Sequence, residues 1–190
     1  GGGLGKSHAL FLASRGAKVA VNDLGGAVDG SGSSSKAADQ VVQAIKAAGG
    51  QAIANYDSVA DAKGAERLVA ETMQAFGQVD IVINNAGILR DKTFAKMELA
   101  DFEQVMAVHL LGSVYVTKAA WPILQQRMYG RVVMTTSAAG LYGNFGQTNY
   151  GAAKLALVGF MNALKLEGQK HNILVNTIAP VAATRMTENL

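Results

Sequence analysis

A serine, a tyrosine and a lysine stand at usable spacings in residues 136–154, T-S-A-A-G-L-Y-G-N-F-G-Q-T-N-Y-G-A-A-K. Tyr150 and Lys154 are four apart, so on a helix they share a face. An ammonium beside a phenol favours the phenolate and lowers the tyrosine pKa from its ordinary value of about 10. The phenol then becomes a proton donor or acceptor near neutral pH. Ser137 ends an apolar run, residues 131–136, that reads as a strand. A hydroxyl at the carboxyl end of a parallel strand faces the crevice where open α/β sheets bind ligands. A packed tyrosine with a solvated lysine one turn on would give the same letters, so the motif gains weight only from a cofactor site elsewhere in the chain.

Such a site is suggested at the start of the chain. Gly1-Gly2-Gly3-Leu4-Gly5 runs directly into residues 6–15, which have helical composition and an apolar face of Leu10, Phe11 and Ala13 before Gly16 stops them. A glycine turn that opens a helix offers bare N–H groups and the positive end of the helix dipole to a phosphate. A flexible glycine-rich tail would look the same. Residues 18–22 form a short buried strand ending at Asp23, which lies 18 residues after Gly5. That is close to the spacing at which a carboxylate meets the adenosine ribose of a dinucleotide. A carboxylate there accepts from the ribose hydroxyls and repels a 2′-phosphate. Leu24 follows with no adjacent Arg or Lys, which favours NAD over NADP; the alternative is an ordinary acid at a strand-end turn.

The remaining elements follow an α/β rhythm. Residues 25–35 are rich in Gly and Ser and read as a flexible surface loop. An amphipathic helix over 36–48 carries Val41, Val42 and Ile45, and Gly49-Gly50 stop it. A strand over 51–55 ends in Tyr56-Asp57-Ser58, where the polar pair either reaches an adenine or caps the next helix, residues 61–76. A strand over 79–83 runs into Asn84-Asn85-Ala86-Gly87, whose small residues allow a flat ligand to approach and whose amides tie strands together or contact a cofactor. Arg90-Asp91-Lys92 reads as a charged loop, solvated or meeting an acidic substrate. A long helix over 101–127 carries His109 mid-way, with a kink expected at Pro122. A lone histidine on an apolar helix face is more often packed core than catalyst. A helix over 149–170 carries Tyr150 and Lys154, and residues 173–178 form a last strand before Ala179-Pro180.

This order predicts a single-domain α/β fold, a doubly wound parallel sheet of the Rossmann type with helices on both faces, over residues 1–190. In the strand order 3-2-1-4-5-6 the first strand is central. It would precede Gly1, so the chain is expected to be trimmed at its amino end, and at its carboxyl end as well.

Composition narrows the classes. About half the residues are hydrophobic and 22 are glycine, a core-forming composition with many tight turns. The formal charge is only +3 with signs interspersed and no basic stripe, which argues against a nucleic-acid partner. Without cysteine there is no disulfide or thiolate metal site, and His8, His109 and His171 lie too far apart in sequence to suggest metal ligands. No apolar run reaches the roughly 20 residues needed to span a bilayer.

Together these residues resemble the short-chain dehydrogenase/reductase family along essentially the whole chain. Gly3-Leu4-Gly5 matches the end of its T-G-x-x-x-G-x-G turn, and Asn84 to Gly87 its N-N-A-G motif. Ser137, Tyr150 and Lys154 match its catalytic residues, including the thirteen-residue step from Ser to Tyr. More closely, V-N-D-L-G-G and the long loop after it, A-N-Y-D-S-V, N-N-A-G-I-L-R-D, Y-G-N-F-G-Q-x-N-Y, and N-T-I-A-P followed by R-M-T resemble the (3R)-hydroxyacyl-CoA dehydrogenase units of peroxisomal multifunctional enzymes type 2 (D-bifunctional protein) and their bacterial relatives.

The resemblance implies oxidation of a (3R)-3-hydroxyacyl-CoA to the 3-ketoacyl-CoA with NAD in fatty-acid β-oxidation; the alternatives are a 3-ketoacyl-thioester reductase, which Asp23 argues against, another secondary-alcohol dehydrogenase, and a non-catalytic cofactor-binding protein, which the intact Ser-Tyr-Lys set argues against. It implies Tyr150 as base, Ser137 and Tyr150 on the substrate oxygen, and Lys154 on the nicotinamide ribose. It places the cofactor against Gly3, Leu4, Gly5, Asp23, Asp57, Ser58, Val59, Asn85, Ala86, Gly87, Tyr150, Lys154 and Thr184. It also implies a homodimer, in the peroxisome of a eukaryote or the cytoplasm of a bacterium, with no nucleic acid, membrane or metal involved. Two departures stand out. His109 occupies the place of a family Asn, in H-L-L-G. Pro180-Val181 stands where Pro-Gly is common.

Overall fold

A computed structural model of the chain describes residues 1–182; Thr184 and the R-M-T segment lie outside the described residues. The chain alternates helices and parallel strands. Helix α1 is Gly3–Ser14, strand β1 Val19–Asn22, helix α2 Lys36–Ala47 and strand β2 Ala52–Asn55. Helix α3 is Ala62–Phe76, and strand β3 is Ile81–Asn84. Helix α4 is Leu99–Met106; it runs through a π-helical turn, Ala107–Leu111, into α5, Gly112–Arg127. Strand β4 is Gly130–Thr135, α6 is Ala138–Tyr142, α7 is Thr148–Gly168, and β5 is Ile173–Ile178.

Local chemistry sets these boundaries. Asp61 is the N-cap of α3 and accepts from the amides of Lys63 and Gly64, and Gly77 ends that helix in the left-handed conformation at φ 76°. The cap is therefore Asp61, and neither Asp57 nor Ser58 fills that role. Val41, Val42 and Ile45 recur at helical spacing and are all buried under α2.

Strands β1 and β2 pair in parallel, Val19 opposite Ala52 and Asn22 opposite Asn55. Strand β4 lies between β3 and β5, parallel to both, with Val132 opposite Val82 and Val175. The order β2-β1 then β3-β4-β5 is that of the doubly wound fold, and its two groups of strands share no hydrogen bonds. A cleft lined by Val19 and Val21 on one side and Val79, Val82 and Ile83 on the other separates them.

Two main cores hold the layers. Ala9, Val21, Val41, Ile45 and Ala52 join α1 and α2 to the first strand pair. Val69, Val116, Leu124, Met134, Leu157 and Val175 join α3, α5 and α7 to the three-stranded sheet. Each fully buried aliphatic side chain stabilises the fold by about 1.5–3 kcal/mol. A smaller cluster of Ile88, Val105 and Ala153 packs beside Tyr150.

The long helix departs from expectation. It begins at Leu99, and its irregularity is the π turn, not Pro122, which α5 carries without ending. The proline removes the helical partner of the Lys118 carbonyl, and the helix nevertheless continues to Arg127.

Candidate active site

The opening of α1 and Ser137, Tyr150 and Lys154 line one continuous cavity. Its lining includes Gly3, Leu4, Gly5, Asp23, Asp57, Ser58, Val59, Asn85, Ala86 and Gly87. The structure thus brings together every predicted site residue that lies within the described range.

At the entrance to α1 the glycines have specific tasks. Gly3 adopts φ 47°, a left-handed conformation that glycine takes without steric penalty. Gly5 leaves room for Asn85, whose Nδ2 would lie 3.0 Å from a Cβ added there. The first helical hydrogen bond is from the Lys6 amide to the Gly2 carbonyl at 3.1 Å, so the amides of Gly3, Leu4 and Gly5 have no helical partner. Asp23 follows at the end of β1. Its Oδ1 accepts from the Gly25 amide at 2.6 Å.

Asp57 lines the cavity with its carboxylate held on the protein side. Its carboxylate is held by Arg67 of α3, with Nε at 3.0 Å, and by Asn55 Nδ2 at 2.9 Å. The Arg67 guanidinium keeps its pKa below the ordinary carboxylate value. Its backbone carbonyl accepts from Asn22 Nδ2 at 2.8 Å, which ties the ends of β1 and β2 together.

The two asparagines after β3 divide their work. Asn84 Nδ2 donates to Thr117 Oγ1 at 2.9 Å and ties the strand to α5. Asn85 lies between the glycine turn and β4, accepting from Thr135 Oγ1 at 3.4 Å. The charged triplet that follows is neither free nor simply solvated. Arg90 and Lys92 both pair with Asp101, at 2.8 and 3.3 Å, and Asp91 accepts from Gln147 at 2.7 Å.

The glycine- and serine-rich loop also differs from the free surface loop expected. It crosses to this segment: the Leu89 amide donates to the Val28 carbonyl and Arg90 Nε to the Asp29 carbonyl, both at 2.9 Å. Gly30, at φ 84°, packs on Ile88, whose Cγ2 would lie 3.1 Å from a Cβ added there.

Ser137 is not only a strand end. It is the N-cap of the short helix α6, and its Oγ accepts from the Ala139 amide at 3.2 Å. This helix is invisible in the residue pattern, because its five residues include Gly140 and are too few for a periodic signal. The hydroxyl proton remains available, and Ser137 and Tyr150 line the same cavity.

Tyr150 and Lys154 share a face of α7, as their spacing predicts, but the expected drop in the tyrosine pKa is absent. Burial raises the phenol pKa above 10 and outweighs the lowering effect of Ser137, while the negative charge of Asp91 raises it further. The Lys154 ammonium sits 5.4 Å from the Tyr150 ring centroid and donates instead to the Thr135 carbonyl at 2.6 Å. The lysine is 3 % exposed, and burial lowers its own pKa to about 8. Thr136 Oγ1 donates to the Lys154 carbonyl at 2.6 Å, so strand end and helix are joined twice.

Asn149 is a buried anchor beside the site that the residue pattern does not single out. It is fully buried, donates to the Arg90 carbonyl at 3.0 Å and accepts from the Tyr150 amide at 2.7 Å, anchoring the first turn of α7. Its one visible signal is a polar residue at a helix start.

A serine hydroxyl, a phenol and a buried amine at one end of the cavity suit proton transfer at an alcohol or ketone oxygen. A glycine turn and a strand-end carboxylate at the other suit a dinucleotide. Comparison with known proteins points the same way. The family model for short chain dehydrogenase matches residues 1–190. The chain is 58% identical over 190 residues to peroxisomal multifunctional enzyme A of Dictyostelium discoideum, covering 42% of that protein. It is 56% identical over 190 residues to a short-chain type dehydrogenase/reductase of Mycobacterium tuberculosis, covering 66% of it. The chain therefore spans about two thirds or less of these relatives. Among solved structures, a 7α-hydroxysteroid dehydrogenase complexed with NADH and 7-oxo glycochenodeoxycholic acid superposes with a TM-score of 0.86 at 29% identity, over 95% of this chain and 67% of that one.

Proposed function

Because the chain belongs to the short-chain dehydrogenase family, we propose that it oxidises the 3-hydroxyl of a (3R)-3-hydroxyacyl-CoA to the ketone with NAD, in fatty-acid β-oxidation. The observation that carries this is the convergence of Ser137, Tyr150 and Lys154 on the cavity that also holds Asp23 and the glycine turn. The 58% identity to a peroxisomal multifunctional enzyme supports the substrate class.

The residues present fit a dinucleotide. The partnerless amides of Gly3, Leu4 and Gly5 would hold its pyrophosphate, and Asp23 its adenosine ribose. Asp57, Ser58 and Val59 would flank the adenine, the Asp57 carboxylate being held in place by Arg67 and Asn55. Asn85, Ala86, Gly87 and Lys154 would hold the nicotinamide-side ribose. NAD, when bound, accepts the hydride from C3 of the substrate.

In this reading Tyr150 is the general base that takes the proton of the 3-hydroxyl. Ser137 donates to the same substrate oxygen and fixes its position, as its place beside the phenol allows. Lys154 keeps the end of β4 in register with α7 through Thr135 and offers its remaining N–H groups to the ribose. We further place the protein in a homodimer, for which exposed Leu155 and Leu166 on α7 supply apolar surface, and light scattering tests this. We assign it to the peroxisome of a eukaryote or the cytoplasm of a bacterium.

The test follows NADH formation by the full-length protein from NAD and (3R)- or (3S)-3-hydroxyacyl-CoA of several chain lengths. Turnover confined to the (3R) series supports the reading. No turnover with either, together with NADPH-dependent reduction of 3-ketoacyl thioesters, sinks it and the role given to Asp23.

A further inference from the structure

His109 is a buried member of this site to which the mechanism above gives no task. It is 1 % exposed and sits in the π turn between α4 and α5. Single π turns recur at functional sites, because they alter which residues a helix turns inward. The carbonyl of His109 accepts from Ser113 Oγ at 2.7 Å, so a buried hydroxyl secures this turn.

The imidazole touches both halves of the site. Nε2 lies 3.0 Å from the Ile88 amide nitrogen, whose hydrogen points at it, and 2.9 Å from the Ile88 carbonyl oxygen. Ile88 directly follows the Asn84 to Gly87 turn and is itself packed against Gly30 of the crossing loop. On its other side the ring stands at 87° to the Tyr150 ring with centroids 5.2 Å apart, the geometry favoured between aromatic quadrupoles. Gly87 completes the fit: a Cβ there would lie 2.4 Å from His109 Cε1.

We propose that His109 is a positioning residue for Tyr150, clipping the Ile88 peptide with Nε2 and bracing the phenol with its ring, so that it sets the spacing between the Asn84–Gly87 turn and the base. The proposal deepens the proposed function and rests on Tyr150 acting in that role. The imidazole does this uncharged. An imidazolium would turn a second N–H against the Ile88 amide, and burial and the Lys154 charge hold its pKa down at about 3. The groups that face the phenol are Ser137 after β4, Asp91 after β3, Lys154 one turn along α7, and His109.

Two substitutions in the full-length protein separate the contacts. His109→Gln keeps an acceptor for Ile88 but removes the ring; His109→Phe keeps a ring but removes the acceptor. Each is expected to lower kcat at least about tenfold, since small displacements of a reacting group have large effects. KM for NAD is expected to change less than about threefold, as only the spacing of the base is altered. A second readout needs no substrate: the Tyr150 phenol titration, followed by phenolate absorbance against Tyr150→Phe. It is expected to shift in both variants, because each removes one of the two contacts, the ring on the phenol or the clip on Ile88, that fix where the phenol stands.

Folded variants with unchanged kcat and an unmoved phenol titration overturn the proposal. Should both ring replacements fail to fold, Ser113→Ala loosens the same turn, and an unmoved phenol titration there overturns it equally. Failure of the wild-type protein to oxidise (3R)-hydroxyacyl-CoA would refute the reaction while leaving the phenol titration to decide the role of His109.

Discussion

Gly140 of α6 and Lys154 of α7 meet with no space for a side chain between them. A Cβ on Gly140 would lie 2.9 Å from the Lys154 Cβ and 2.8 Å from the Leu155 backbone nitrogen. This contact sets how far Ser137, at the head of α6, stands from Tyr150 and Lys154. Gly140→Ala should therefore force α6 away from α7. Overpacking of this kind costs about 1–3 kcal/mol. Turnover should fall by about tenfold or more because the serine moves. Thermal denaturation and steady-state kinetics check both, and a variant with wild-type kcat would show that the helix contact does not position the serine.

Tyr150→Phe should reduce turnover by several orders of magnitude with little change in NAD affinity, because it deletes the proton acceptor and leaves the rest of the cavity intact. Ser137→Ala should reduce kcat by roughly a hundredfold or more through loss of one donor to the reacting oxygen. Its fold should also lose about 1 kcal/mol, since Ser137 caps α6. Fluorescence titration with NAD alongside kinetics distinguishes lost chemistry from lost binding.

Asp23 is placed to discriminate between cofactors. Asp23→Ala combined with Leu24→Arg replaces a repelling carboxylate beside the cavity with an attracting guanidinium. Preference, as the ratio of kcat/KM for NAD to that for NADP, should move toward NADP by more than about tenfold. An unchanged ratio would remove Asp23 from the cofactor site.

Lys154 gives a pH-dependent stability. Its pKa is about 8 in the fold, against 10.5 for an unperturbed lysine, so the unfolded chain binds the extra proton between those values. Stability then rises with pH across that window, and below it the buried ammonium carries a constant penalty on the order of 3 kcal/mol. In Lys154→Met this rise should vanish. Denaturant unfolding of both proteins from about pH 7 to about pH 11, a range that brackets both values, tests this. Parallel curves would mean that the lysine is not desolvated in solution.

Much of the architecture was legible in the residues. The parallel strands, the stripe of Val41, Val42 and Ile45, and the shared face of Tyr150 and Lys154 all follow from periodicity, which is a local property. What could not be read depends on long-range contact. The residues around Asp57 do not announce that Arg67, ten positions on in α3, holds its carboxylate. Residues 25–35 have the composition of a free loop, yet distant Leu89 and Arg90 hold them. The expected depression of the Tyr150 pKa counted the neighbouring charge and omitted burial, which only tertiary packing supplies.

The π turn also fixes the length of the chain that passes through it. A helix advances about 100° per residue, so a turn that takes in one residue more than the α form offsets everything after it by that angle. The segment before it aims Val105 at Ile88 and Ala153, and the segment after it aims Val116, Ala120 and Leu124 at the sheet. Straightening the turn by deleting a single residue would leave both halves helical yet out of phase. One hydrophobic face could then be seated only by rotating the other into solvent, so chain length here is as constrained as residue identity.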